Sequence, residues 1–186
     1  MPHLTASKGE MNIKNRTLRQ ITAAGVIAAA YAAISLVLAP ITFGAVQCRI
    51  SEALTLLPVL SPTAIWGVTL GCAITNGVGA ATGANFLGMV DLFVGTAATL
   101  LAAVASRLLG KIRIGGAPWL SALPPILFNA VAIGAEWCYA ATGSINVAFW
   151  VFAGQIALGQ LPPCLLGVWL IHLLERRGLQ NIIEGK

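Results

Sequence analysis

The sequence predicts an all-α integral membrane protein, six transmembrane helices in a compact bundle with both termini cytoplasmic. Three observations carry that prediction. Hydrophobic residues make up 58% of the chain and charged ones only 9%, with a mean hydropathy of +0.85. A water-soluble domain carries about a quarter charged residues to wet its surface. The apolar residues also fall into runs near the ~20 residues that cross a bilayer. Nine of the 11 basic residues flank those runs in three clusters, with Arg49 the exception that falls on the outer side: Lys8, Lys14, Arg16 and Arg19 before the first, Arg107, Lys111 and Arg113 between two later ones, and Arg176 and Arg177 after the last. A net charge of +5 spread in this way marks the cytoplasmic side of membrane helices rather than a surface for nucleic acid.

The chain divides into a polar cytoplasmic lead, residues 1–18, a six-helix membrane domain, 19–178, and a cytoplasmic tail, 179–186. The lead reads as disordered or interfacial. Met11, opening MNIKNRTLRQ, is an equally good start, which would make residues 1–10 an extension. The first apolar run, 21–39, exceeds the roughly 7–15 residues of a signal-peptide core and lacks a small-residue cleavage site, so it is expected to stay in the mature protein.

The predicted spans are 21–39, ended by Pro40 and Gly44; 47–60; 63–80; 92–106, opened by Asp91 and closed by Arg107; 114–135, beginning near Pro118; and 146–174, which carries Pro162 and Pro163. The second is the difficult one. Ser61-Pro62 divides an uncharged stretch, and the piece before it is short for a span, so it is expected to be tilted, sunk between neighbours or partly re-entrant. Charge parity decides the count. One fused helix over 47–80 would put Arg107, Lys111 and Arg113 outside; six spans put all three basic clusters inside. The loops 40–48, 81–90 and 140–146 then face out.

Ionisable groups within a bilayer are costly and face a bundle interior or a wet cavity. Here they are Arg49, Glu52, Asp91 and Glu136, with amides at Asn76, Asn129, Gln155 and Gln160. In the six-span topology all four ionisable groups fall in the outer half. Asn129 and Glu136, seven apart, share a helix face, and Trp137, Phe149 and Trp150 flank the same level. An outward recess of polar and aromatic residues suits capture of a small solute. Structural roles compete for most of them. Arg49 and Glu52 can pair within one helical turn, Asp91 can favour a helix N-terminus, the tryptophans can be interfacial belt residues, and Gln160 can satisfy carbonyls freed by the two prolines. Glu136 has no basic residue near it in sequence, which leaves it the strongest candidate for a ligand contact.

Helix one also carries small residues at four-residue spacing, Gly25 with Ala29 and Ala28 with Ala32, which lets helix backbones approach closely. The four cysteines, Cys48, Cys72, Cys138 and Cys164, show no CxxC and read as small packing residues; a Cys48–Cys138 pair on the outer side is the other arrangement open to them. With His3 and His172 the only histidines, a metal site or a His-based triad is poorly supplied. The chain has no nucleotide-binding GxxxxGK[ST] loop, so any ATP-driven work requires partners.

The run FGAVQCRISEALTLLP at 43–58, followed by SPTAIWGVTLGCAITN at 61–76, resembles the QueT family. So do TLRQITAAGVIAAAYAAISLVLAPI before it and LPPILFNAVAIGAEW after it. The resemblance covers about residues 11–178. It implies a non-enzymatic substrate-binding (S) component of an energy-coupling factor transporter in the bacterial cytoplasmic membrane, taking up a queuosine precursor of the 7-deazaguanine type. It implies partners as well: a transmembrane coupling protein and two ABC ATPases, which hold the ATP, with no cofactor in this chain. On that resemblance Gly25, Ala28, Ala29 and Ala32 face the coupling protein, and loop 40–50 covers the site. The substrate-site expectation comprises Glu136, Asn129, Trp137, Arg49, Glu52, Asp91, Asn76, Gln155 and Gln160. An S component for another vitamin is the nearest alternative; a stand-alone small transporter, a channel or a membrane enzyme is a more distant one.

Overall fold

The computed structural model describes residues 3–44 and 46–178; the expected tail, 179–186, lies outside the described residues. Among them the chain is helical, with α1 His3–Val37, α2 Ala39–Thr42, a 3-10 segment Ile50–Val59, α3 Thr63–Thr82, α4 Met89–Leu109, a 3-10 turn Trp119–Ala122, α5 Leu123–Thr142 and α6 Phe149–Arg176. Five helical stretches are long and apolar enough to cross a membrane: Asn15–Val37, Thr63–Thr82, Met89–Leu109, Trp119–Thr142 and Phe149–Arg176. α1 runs unbroken from His3, so the expected lead is helical over residues 3–18, and the stretch apolar enough to cross a membrane begins at Asn15.

Proline and glycine set most boundaries. Pro62 precedes α3, and Gly83 closes it in the left-handed conformation at φ 72°, the usual glycine helix stop. α5 starts later than predicted. Pro124 and Pro125 occupy its first turn, where a missing N–H costs nothing. The residues before it form a tight turn instead, with Ile114 bridged to Ala117 across Gly115 and Gly116, both at positive φ. The predicted span 114–135 therefore slides toward the C-terminus. Glu136 comes to lie six residues before the end of α5, about 9 Å below it at 1.5 Å per residue.

The expected second span, 47–60, is not a sixth long helix. It is a ten-residue 3-10 helix, and its neighbours explain how so short a piece serves. A side chain at Gly67 of α3 would collide with Ile27 of α1, and one at Gly71 with Tyr31. Residue numbers thus rise together along the contact, and α1 and α3 run in the same direction. The chain between them must return, and the 3-10 segment makes that return, with Ser51 against Ser35 and then Glu52 against Tyr31 of α1. Ten residues rise about 20 Å as a 3-10 helix, against about 15 Å as an α-helix. Its start lies beside Asp91, through Arg49, while its Pro58 carbonyl accepts from Arg107 Nη1 at 2.7 Å. It therefore follows α4 from first turn to last.

The segment is the centre of the molecule. Ser51, Glu52, Ala53, Thr55, Leu56, Leu57 and Pro58 are all buried, and α6 meets it through glycine. Gly167 lies against the Ala53 backbone and Gly159 against the Val46 carbonyl, where any side chain would push the segment away. The apolar core, with Tyr31, Leu56, Val68, Val168 and Ile171 fully enclosed, wraps its C-terminal half.

The small residues of α1 divide into two rows. Ala28 and Ala32 are 2% and 6% exposed, packed inward on the side that meets α3. In the isolated chain they are buried, and Gly67 and Gly71 of α3 approach the α1 backbone beside them at the Ala24 and Ala28 carbonyls. Gly25 and Ala29 are exposed, with Ala33 one turn on.

Candidate functional site

At the end of the bundle where α1 finishes and α4 begins, the structure gathers most of the costly residues found in the sequence. Arg49 is 4% exposed, Glu52 1%, and Asp91 and Asn76 are fully buried. Arg49 is the N-cap residue of the 3-10 segment, in extended backbone. Its Nη2 stands 3.8 Å from Asp91 Oδ2, its Nη1 donates to Cys72 Sγ at 3.5 Å, and its guanidinium lies 5.6 Å from the Phe43 ring centroid. The anticipated Arg49–Glu52 pair within one turn does not form. The charge partner comes from α4 because the 3-10 backbone turns the Glu52 side chain toward α1, where Oε1 accepts from Tyr31 Oη at 2.6 Å. Asn129 of α5 lies beside the same carboxylate.

Asp91 sits in the first turn of α4 without capping it; Gly88 is the N-cap, with no side-chain hydrogen bond. Asp91 instead accepts from Asn85 Nδ2 at 2.7 Å, and its backbone carbonyl accepts from Asn76 Nδ2 at 2.9 Å. Gly95 makes the room, since a side chain there would strike the Asp91 carboxylate. Buried polar groups are normally paired, yet here several atoms lack a hydrogen-bond partner: Arg49 Nε, Glu52 Oε2, Asn76 Oδ1 and Asp91 Oδ1.

Glu136 stands on the α5 side of this end. Both carboxylate oxygens are shut off from solvent and neither has a hydrogen-bond partner. The residue lines a groove of about 510 Å³ between α4 and α5, with Phe86, Val90, Val94 and Tyr139 among its walls. Next to it the Trp137 indole stacks on Phe86, centroids 5.4 Å apart, and on Phe152 at 6.3 Å, both at 21°. Its Nε1 is buried without a partner. An apolar groove of this size with a few convergent polar groups is the usual form of a small-molecule site.

Not every candidate joins. Gln155 is half-buried on α6 and makes no hydrogen bond with the cluster. Gln160 is buried but does not bond the carbonyls around Pro162 and Pro163. Trp150 is 74% exposed and meets Phe149 edge-on, the setting of a belt residue, because α6 turns it away from Trp137. Cys48 and Cys138 are free thiols, not a disulfide. Cys72 is more than filler, since its sulfur also receives Thr99 Oγ1 at 3.2 Å. Tyr31, Asn85 and Thr99, which the sequence reading did not select, complete the network.

These elements define the class: an all-α, multi-pass membrane protein with a buried polar cluster and an aromatic groove at one end. A family model described as QueT transporter matches residues 21–176, and the chain belongs to that family. It is a membrane transport protein. No curated protein and no solved structure matches it.

Proposed function

We propose that this chain is the substrate-capture S component of an energy-coupling factor importer, and that it binds a 7-deazaguanine-type queuosine precursor from outside the cell. The observation that carries the reading is Glu136, a carboxylate with both oxygens buried and unpartnered on the wall of a groove. A guanine-like ring presents an amino N–H and a ring N–H side by side, which one carboxylate accepts together. The neighbouring indole supplies a face for the ring and one donor. Glu52, fixed by Tyr31 through a single oxygen, and Arg49 belong to the buried polar cluster at the same end of the bundle. In this reading the protein crosses the membrane six times, the 3-10 segment serving as the second crossing. The termini and the Arg107–Arg113 cluster then lie in the cytoplasm, as the basic residues favour.

Calorimetric titration of the detergent-solubilised protein with 7-deazaguanine, riboflavin, biotin and thiamine tests the ligand. Saturable binding of 7-deazaguanine alone is expected; binding of one of the others in its place would reassign the subunit within the same transporter class.

ATP is hydrolysed by partner ATPases, reached through a coupling protein that docks on α1. Gly25 and Ala29 are exposed there, and beside them Ile21, Trp66 and Leu70 line an apolar groove of about 550 Å³ between α1 and α3. Ala29→Trp is expected to abolish co-purification with the coupling protein and ATPases while 7-deazaguanine binding stays within about twofold. Undiminished co-purification would move the docking face elsewhere.

A further inference from the structure

Phe86 is the tip of loop 83–88, between α3 and α4, and the loop is bounded by Gly83 at φ 72° and Gly88 at φ 63°. Both glycines hold backbone conformations that other residues resist. Asn85 fastens the loop: its N–H donates to the Gly79 carbonyl at 3.0 Å, its Nδ2 to Asp91 at 2.7 Å, and its Oδ1 accepts from the Leu87 N–H at 3.1 Å. Phe86 is anchored less. It is 68% exposed, and its one ring contact is the indole of Trp137, 5.4 Å away at 21°. Phe152, the other ring on that indole, is held in the first turn of α6.

The position of Phe86 is informative because of what lies beside it. Phe86 and Glu136 line the same groove; both Glu136 oxygens, and Nε1 of the adjoining Trp137, are buried without a hydrogen-bond partner. The groove therefore has hydrogen-bonding groups without partners next to an aromatic face that is already covered. A phenyl ring satisfies the face and none of the polar atoms. A flat heterocycle with N–H groups and an acceptor on its edge satisfies both.

We infer that Phe86 is a placeholder for the solute: it occupies the face of Trp137 on which the solute's ring stacks, and the solute displaces it on binding. The inference rests on the assignment of the Glu136 groove as the solute site. One face of one indole holds one ring, so Phe86 competes with the solute, and apparent affinity falls by the fraction of molecules in which Phe86 is seated. The contact keeps the indole covered between transport cycles and favours solutes that also engage Glu136, since stacking alone only exchanges one ring for another.

The test is calorimetry of the full chain in detergent micelles, using wild type, Phe86→Ala and Trp137→Ala, each titrated with 7-deazaguanine and separately with riboflavin and thiamine. Removing the competitor is expected to tighten 7-deazaguanine binding roughly three- to tenfold, the range of one aromatic pair, while Trp137→Ala weakens it by about tenfold or more. In a chain whose other four tryptophans are phenylalanine, the same titration is expected to quench Trp137 emission. Unchanged or weaker binding by Phe86→Ala overturns the placeholder role and leaves the solute assignment standing. Riboflavin or thiamine binding instead, with the same Phe86 effect, overturns the named solute and keeps the placeholder. Binding of none of the three by any of the chains overturns both.

Discussion

Glu136→Gln is expected to weaken 7-deazaguanine binding by on the order of a hundredfold while raising the thermal stability of the ligand-free protein. The two effects have opposite signs for one reason. A buried carboxylate without a hydrogen-bond partner is an uncompensated cost to the fold, and both Glu136 oxygens are in that state. The amide keeps the shape and removes the charge, so the empty protein gains. The same change replaces one of two acceptors by a donor aimed at a donor edge of the ring. Charge-assisted hydrogen bonds contribute about 1.5–3 kcal/mol each, and losing one while opposing another gives the expected factor. Isothermal titration and thermal unfolding in the same detergent measure the pair. If binding and melting temperature fell together, Glu136 would be a structural residue and the site would have to be sought around Glu52.

That division between binding cost and folding cost was partly legible in the sequence. Glu136 stood out because nothing near it along the chain could pair with it, and the fold brings it no hydrogen-bond partner either. Arg49 and Asp91 were equally visible as expensive residues, but which would pair with which depended on backbone form. Over Ile50–Val59 a period of 3.0 cannot be told from one of 3.6, since the segment is buried on nearly every side and has no polar face to mark the repeat. Charge parity nevertheless called for a return there, and α1 and α3 run in the same direction on either side of the segment.

The two alanine rows of α1 illustrate the complementary limit. Spacing by four marks a close approach without saying to what. Only the glycines at 67 and 71, lying against Ala24, Ala28 and their neighbours, assign Ala28 and Ala32 to the interior and leave Gly25 and Ala29 outside. Tyr31, Cys72 and Asn85 were missed for a different reason. Each has an ordinary place in its own stretch, an aromatic in an apolar helix, a small residue in a packing face, an amide in a polar loop. Their roles arise from α1, α3 and α4 converging on Arg49, Glu52 and Asp91.

Arg49→Ala is expected to be the most destabilising single change at this end of the bundle, lowering unfolding free energy by roughly 3–5 kcal/mol, the usual cost of breaking a buried ion pair from one side. Asp91 is fully buried and would keep only Asn85 as a side-chain partner. Cys72 would lose one of its donors, and Phe43 the cation over its ring. The pair itself, at 3.8 Å, need not be a net source of stability, because taking two charges out of water is costly. The double variant Arg49→Ala with Asp91→Asn separates the two ideas: it is expected to recover most of the lost stability, since the orphaned charge disappears with its partner. Thermal unfolding of wild type, both single variants and the double variant closes the cycle. Additive losses would mean that Arg49 and Asp91 act independently and that the 3-10 segment is held against α4 by packing alone; strong coupling would make the ion pair the tie that holds the segment's N-terminal end against the first turn of α4.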